Sequence, residues 1–257
     1  MNTLLSTSKL TVSIGGVRVC DALDLVIDPG QSWALLGRNG SGKTTLLHHL
    51  CGLRRGHTGG IRLLGDDIDA LPPRQRARRV SALLQHSERG FGRRVIDTVL
   101  SARHPYQPML AWDTGPDLAL ATRQLERLGL TDFAQRSLQR LSGGELRRVE
   151  IARLLTQDCP LSLLDEPMNH LDPGHQSRVL HVLGRQCVTD DRAMLLVLHD
   201  LNLAYHSCDH WLLLAGNGEW LAGTREQMAD EQTLTGVFGH PIRRIDSPAG
   251  PVFLPAL

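Results

Sequence analysis

Lysine is almost missing from this sequence: of 28 basic residues only Lys9 and Lys43 are lysines, and the rest are arginines. A chain with that bias that still keeps a lysine at position 43 points to a need there for a compact ammonium, which a planar guanidinium fork cannot meet. An excess of either charge is missing too. The net charge is +1, so nothing global argues for nucleic acid or an anionic membrane surface as a partner. No stretch approaches the ~18 uninterrupted apolar residues of a membrane span. The apolar run Ala193 to Leu198 stops at His199 and Asp200 and reads as a buried strand. The opening MNTLLSTSKL has neither a charged start nor a sustained apolar run, so no secretory leader is expected. Cysteine pairing is absent: Cys20, Cys51, Cys159, Cys187 and Cys208 are odd in number and widely spaced, without a C-x-x-C pair. That argues against a disulfide framework and a zinc site, and for buried reduced thiols. His48, His49 and most of the other histidines lack metal-ligand spacing with partners. Internal repeats and low-complexity tracts are absent as well.

What is present suits an ordinary globular protein of 257 residues, 41% hydrophobic and 21% charged, long enough for a substantial core. Residues Leu10 to Asp28 alternate apolar and polar positions around Gly15-Gly16 and predict two or three short antiparallel strands. Trp33 to Leu36 predicts a buried strand feeding a glycine loop, and Thr44 to Leu53 a helix. Ile61 to Leu64 and Val80 to Leu84 predict further strands on either side of the helical, arginine-rich PPRQRARR. From about His86 to Arg140 the apolar spacing turns helical, over Val95 to Ala102 and Leu118 to Leu130. After Leu141 alternation returns, with strands Leu161 to Leu164 and Met194 to Leu198 between helices His175 to Arg185 and Leu201 to Cys208. Strands alternating with helices imply a mostly parallel sheet covered on both faces. Beyond Trp211 two short strands and a small helical tail are expected.

Four stretches carry chemistry. Gly37, Arg38, Asn39, Gly40, Ser41, Gly42, Lys43 and Thr44, followed by Thr45, match G-x-x-x-x-G-K-[ST] between a strand and a helix. Its glycines let backbone amides converge on phosphate, Lys43 would bridge the β- and γ-phosphates, and Thr44 would ligate magnesium. The strand Leu161 to Leu164 ends in Asp165 and Glu166, where a magnesium-supporting aspartate and a general base belong in such folds. Gln85 and His199 each follow a predicted strand of the same sheet, at the end where ligands collect. Last, Leu141, Ser142, Gly143, Gly144 and Glu145 open a helix. Ser142 with Glu145 fits an S-x-x-E capping box, and an ordinary capped helix would account for this stretch in isolation.

Taken in order, these motifs with Asp172 in NHLD resemble the full set of an ABC-type ATPase domain over essentially the whole chain. The resemblance implies an α/β fold: a P-loop NTPase core with a mostly parallel sheet, an N-terminal antiparallel β subdomain and an all-helical insertion. It divides the chain into a core of 1–85 and 141–225, a helical subdomain of 86–140 and a tail of 226–257. It implies ATP and Mg2+ as cofactors. Lys43 and Thr44 are expected to hold phosphate and metal, Gln85 to sense metal and attacking water, Asp165 to support the metal, Glu166 to act as base and His199 to contact the γ-phosphate. Leu141 to Glu145 are expected to close over ATP held by a second copy in a homodimer, with Asp172 in the loop linking the two sites. Family members usually stack adenine on an aromatic residue of the first strands; here the matching position is Ile14, which weakens base recognition by on the order of 1 kcal/mol.

The stretch Phe91 to Tyr106 is similar to F-x-F-T-V-x-D-V-V-x-x-G-R-x-P-Y of importers for metal chelates (iron–siderophore, haem, cobalamin). Asp97, Val99, Arg103, Pro105 and Tyr106 fit it, while Gly92, Arg93, Arg94 and Ala102 depart. His199 to Thr224, and Val237 to Gly239 before a last strand near Val252-Phe253, are similar to the same group. This resemblance implies a subunit on the cytoplasmic face of a bacterial inner membrane. Its expected partners are two copies of a polytopic permease, docked near the Gln85 loop, and through the permease an extracytoplasmic binding protein. An ATPase for another transported class, or a soluble ABC ATPase uncoupled from transport, stays open. Nucleic-acid members would need a long coiled coil where only about 55 residues lie, ribosome-binding members two cassettes, and a GTPase an N-K-x-D motif.

Overall fold

The computed structural model describes residues 3–85, 92–108, 114–248 and 250–256. Leu5–Ile14 (β1) buries Leu5, Thr7, Leu10 and Val12 and turns the residues between outward, the period-two pattern of a half-buried strand. Its register slips at exposed Lys9, whose φ is +47°. Val17–Leu23 (β2) and Val26–Ile27 (β3) pair antiparallel with β1. Ser32–Gly37 (β4) behaves differently: all six residues are buried, as a strand covered on both faces requires. It leads into helix Lys43–Leu50 (α1). Thr58–Leu63 (β5) then returns to pair antiparallel with β1, and Asp66–Asp67 (β6) pairs with β5. The expected N-terminal antiparallel sheet is therefore present, and it recruits β5 from beyond the glycine loop.

After the short helix Pro73–Arg76 (α2), Val80–Leu83 (β7) enters the main sheet. Val95–Leu100 (α3) and Gly115–Arg127 (α4) form the described helical block with Gly143–Gln157 (α5). The helix expected over Val95 to Ala102 stops as α-helix at Leu100 and tightens into a 3₁₀ turn, Ser101–Tyr106. Pro105 has no amide to donate, and a short tighter turn accommodates it. Residues 86–91 of the expected insertion, Phe91 among them, lie outside the described residues.

Leu161–Asp165 (β8), Pro173–Cys187 (α6), Ala193–Val197 (β9), Leu201–Ser207 (α7) and His210–Leu214 (β10) continue the alternation. Trp220–Thr224 (β11) folds back on β10, followed by Arg225–Met228 (α8) and Glu231–Phe238 (α9). The tail then closes in a hairpin, Ile242–Ser247 (β12) against Gly250–Pro255 (β13). Only its second strand was expected. β12 reads as charged and mostly exposed, so no apolar run announces it.

The main sheet has the order β11-β10-β4-β9-β8-β7, parallel throughout except for β11. Along β4, Trp33 and Leu35 face one apolar cluster, shared with α1 and the antiparallel sheet. Ala34 and Leu36 face the other, shared with the helical block. Each fully buried leucine here contributes about 1.5–3 kcal/mol of transfer free energy. Because β4, β7, β8 and β9 run in parallel, their C-terminal ends bring Gly37, Gln85, Asp165 and His199 to one edge.

One glycine fixes how the two sheets meet there. Gly42 begins α1 at φ +92°, and a Cβ at this position would lie 2.5 Å from a Val19 methyl of β2. Gly42→Ala is expected to destabilise the chain by roughly 1–3 kcal/mol through backbone strain and this overlap. The shift in denaturant midpoint measures it, and adding Val19→Ala should recover part of the loss but not all.

Candidate functional site

The loop from Gly37 to Gly42 ends at the start of α1 without a side-chain cap and with no acidic residue in the first helical turn. The leading amides of α1 therefore remain available to an external anion, with the helix dipole favouring negative charge. Lys43 is only 6% exposed, and its Nζ donates to the carbonyls of Gly37 (2.9 Å) and Arg38 (3.0 Å). Burial pulls its ammonium below the ordinary lysine value, against the opposing pull of Glu166 and Asp165. A cleft of about 600 Å³ opens over this loop, lined by Ile14, Asn39, Lys43, Thr44, Gln85, Glu166 and His199 among others. Gly40, Gly42 and Thr45 also line it, whereas Gly37, Arg38 and Ser41 do not. Ile14, 39% exposed, supplies the aliphatic wall where an aromatic ring was missed in the sequence.

The carboxylates sit at the end of β8. Asp165 is fully buried. Burial pushes its carboxyl above the ordinary aspartate value, with the Thr44 hydroxyl drawing it down and Glu166 raising it further. Thr44 is thus close, but neither Asp165 oxygen has a partner within hydrogen-bonding geometry among the described residues. Glu166 follows at φ +48°, a strained backbone for a non-glycine residue. Its Oε1 accepts from His199 Nε2 at 2.5 Å. Its Oε2 accepts from Gln85 Nε2 at 3.2 Å and from Asn169 Nδ2 at 2.5 Å. Burial pushes the Glu166 carboxyl up, but these donors outweigh it and hold it below the ordinary glutamate value. A carboxylate only accepts, so His199 carries its proton on Nε2 in this arrangement.

The donor set fits a hard divalent cation. Among the described residues no group of three His, Cys, Asp or Glu could cage a metal. The two orphaned oxygens of Asp165 beside the Thr44 hydroxyl are instead what Mg2+ uses when one or two protein oxygens are completed by phosphates and water. Gln85 lies on the same cleft.

Leu141 is buried, while Ser142 to Glu145 form a separate surface. The capping box is present: Ser142 Oγ accepts from the Glu145 amide at 3.3 Å, and Glu145 Oε2 accepts from the Ser142 amide at 2.7 Å. Ser142, Gly143, Gly144 and Glu145 line a second cleft with Arg148, His170, Asp172 and His175. Among the described residues none lines both clefts. Asp172 caps α6 by accepting from the His175 amide at 2.9 Å. Gly144 lets α5 approach the next loop closely, since a Cβ there would fall 2.7 Å from the His170 carbonyl.

Two contributors escaped the sequence reading. Asn169 grips Glu166 from three residues downstream, a spacing that only the Glu166 turn makes meaningful. Arg147, in helix α5 that Ser142 to Glu145 open, is buried and donates to the carbonyls of Leu84, Asp165 and Glu166. A basic residue on the inward face of that helix was the available signal.

The ABC transporter family profile matches residues 20–169. The petrobactin import ATP-binding protein of Bacillus anthracis is 36% identical over 238 residues, 93% of this chain and 87% of that protein. The hemin import ATP-binding protein of Jannaschia sp. is 36% identical over 255 residues, 96% of this chain and 92% of that protein. Among solved structures, an inward-facing transporter classed as of the metal-chelate type superposes with a TM-score of 0.83 at 26% identity, covering 100% of this chain and 98% of that one.

Asp165 gives a prediction with opposite signs for stability and activity. Its raised pKa means that the folded chain disfavours the ionised form, so the penalty is absent below the ordinary value of 3.8 and complete above the raised one. At neutral pH, Asp165→Asn is expected to stabilise the nucleotide-free chain by about 1–3 kcal/mol, or roughly 2–10 °C in melting temperature, while removing Mg2+-dependent ATP turnover. A thermal melt repeated at falling pH checks the sign, because the gain should shrink toward acid.

Proposed function

The chain belongs to the ABC transporter family as an ATP-binding subunit, and from that premise we propose that it hydrolyses ATP to power import of a metal chelate through a separate membrane permease. The convergence of Lys43, Thr44, Glu166, Gln85 and His199 on one cleft, with Asp165 buried beside Thr44, is the observation that carries the enzymatic part. In this reading the amides of residues 38–44 and the Lys43 ammonium hold the phosphates. Thr44, Asp165 and Gln85 would hold Mg2+, which when bound neutralises charge on the phosphates. Glu166, kept ionised by its donors, accepts a proton from the attacking water. His199, 43% exposed at its side chain, is placed to exchange Glu166 for the γ-phosphate.

Ser142 to Glu145 share no cleft with this chain's own loop, which supports their closing over ATP on a second copy in a homodimer. Asp172, in the second cleft, would then lie between the two sites. Selection of the base rests on the aliphatic surface of Ile14, so discrimination between ATP and GTP is expected to be modest.

The transport part rests on relatives that import petrobactin and hemin, and on the metal-chelate type of the structural neighbour. No described helix is long and apolar enough to cross a membrane, and passage itself is assigned to the separate permease. Its docking surface is proposed to lie near Gln85 and the turn ending at Tyr106. That turn is fixed in place: Arg103 lies 4.0 Å from the Tyr106 ring centre, and Arg78 donates to the Pro105 carbonyl at 2.6 Å. A binding protein on the far side would deliver the chelate, with this subunit on the cytoplasmic face.

Two outcomes are expected. Glu166→Gln should cut turnover by roughly 10²–10⁴-fold while ATP still binds, as for loss of a general base; normal hydrolysis would remove Glu166 from that role. Mixing inactive Lys43→Ala chains with Ser142→Arg chains should restore activity in verified mixed dimers, since one site then pairs an intact loop with an intact Ser142. ATP-dependent uptake of haem, cobalamin or an iron–siderophore by permease-containing vesicles identifies the cargo.

A further inference from the structure

Arg147 lies inside the molecule rather than on the surface that Ser142 to Glu145 form at the start of α5. It is 5% exposed, and its charge is matched by Glu150, with 2.9 Å between Nη1 and Oε2 and both side chains largely buried. Nη1 also donates to the Leu84 carbonyl at 2.9 Å, and Nη2 donates to the carbonyls of Glu166 (3.0 Å) and Asp165. These three carbonyls belong to the peptide bonds immediately before Gln85 and on either side of Glu166. One rigid fork therefore holds the backbone that aims both side chains. Glu166 sits at φ +48°, and a conformation of that kind persists only where surrounding contacts over-determine it.

We propose that Arg147 is a positioning residue that carries the placement of helix α5 to Glu166 and Gln85. When Ser142 at the start of α5 engages a nucleotide on the partner, any displacement of α5 is passed through the guanidinium to the peptides flanking the base. The fork matters because a guanidinium presents coplanar donors at fixed spacing, whereas an ammonium radiates its donors from one point. This inference rests on the reading of Glu166 as general base and of Ser142 as acting in trans.

The test uses the full chain with Arg147→Lys, which keeps a charge opposite Glu150, and with Arg147→Gln/Glu150→Gln, which removes the buried pair together. Mg2+-ATP affinity, KM, kcat and melting temperature are measured for each, alone and combined with Glu166→Gln. We expect kcat to fall about 10- to 100-fold, the scale of an ångström-sized misplacement of a reacting group, with ATP affinity and KM within about twofold of the parent. Single-turnover phosphate release should show no further loss when Arg147→Lys is added to Glu166→Gln, since both act through one carboxylate. Parental kcat in both Arg147 variants, additive losses, or a fall in ATP affinity matching the fall in kcat would overturn the inference. A Glu166→Gln chain with normal turnover would instead overturn the base assignment on which the inference stands.

Discussion

A carboxylate buried with few donors is costly, and among the described residues fully buried Asp165 has only the nearby Thr44 hydroxyl to draw on, with neither oxygen in hydrogen-bonding geometry. Much of the site follows from tolerating that charge. Lys43, also buried, is drawn toward the charged form by Asp165 and Glu166 although burial pulls the other way. Glu166 avoids adding a second unpaired carboxylate because donors from three separate segments, at Gln85, Asn169 and His199, converge on it. The result is an unsatisfied acceptor pair directed at one place and a fully satisfied carboxylate beside it. The first suits a cation and the second suits a proton.

The parallel sheet is what makes this arrangement possible. Asp165, Gln85 and His199 come from positions up to 114 residues apart, yet each lies at or just beyond the C-terminal end of a strand in one register-aligned sheet. Strand order, rather than any local sequence feature, decides that β8 lies between β7 and β9 and that β4 brings the glycine loop alongside. Local signals governed the elements themselves. The apolar runs of β4, β8 and β9, interrupted at Ser162 in β8, were legible because both faces of those strands are covered.

Less legible were features whose cause is tertiary. β12 has no apolar run because a two-stranded hairpin at the surface buries little, and only Ile242 is buried along it. The pairing of β5 with β1 depends on a return across the glycine loop that no local pattern announces. The glycine loop, the paired carboxylates, Gln85 and His199 could be singled out because phosphate and proton chemistry would call for such residue types, and the fold brings them together. Asn169 and Arg147 could not, since their acceptors are a side chain and three carbonyls whose positions only the folded chain defines.

The scarcity of lysine takes on a practical meaning in the folded chain. Lys43 is buried and hydrogen-bonded to two carbonyls, whereas Lys9 stands exposed on a bulged strand. Lys9 is thus the single lysine whose amine faces solvent. An amine-directed dye, tether or surface linker would attach to lysine at one defined point on the antiparallel sheet. With the α-amine blocked, Lys9 is a natural handle for fixing the chain's orientation in optical or force measurements, while the buried Lys43 amine stays shielded.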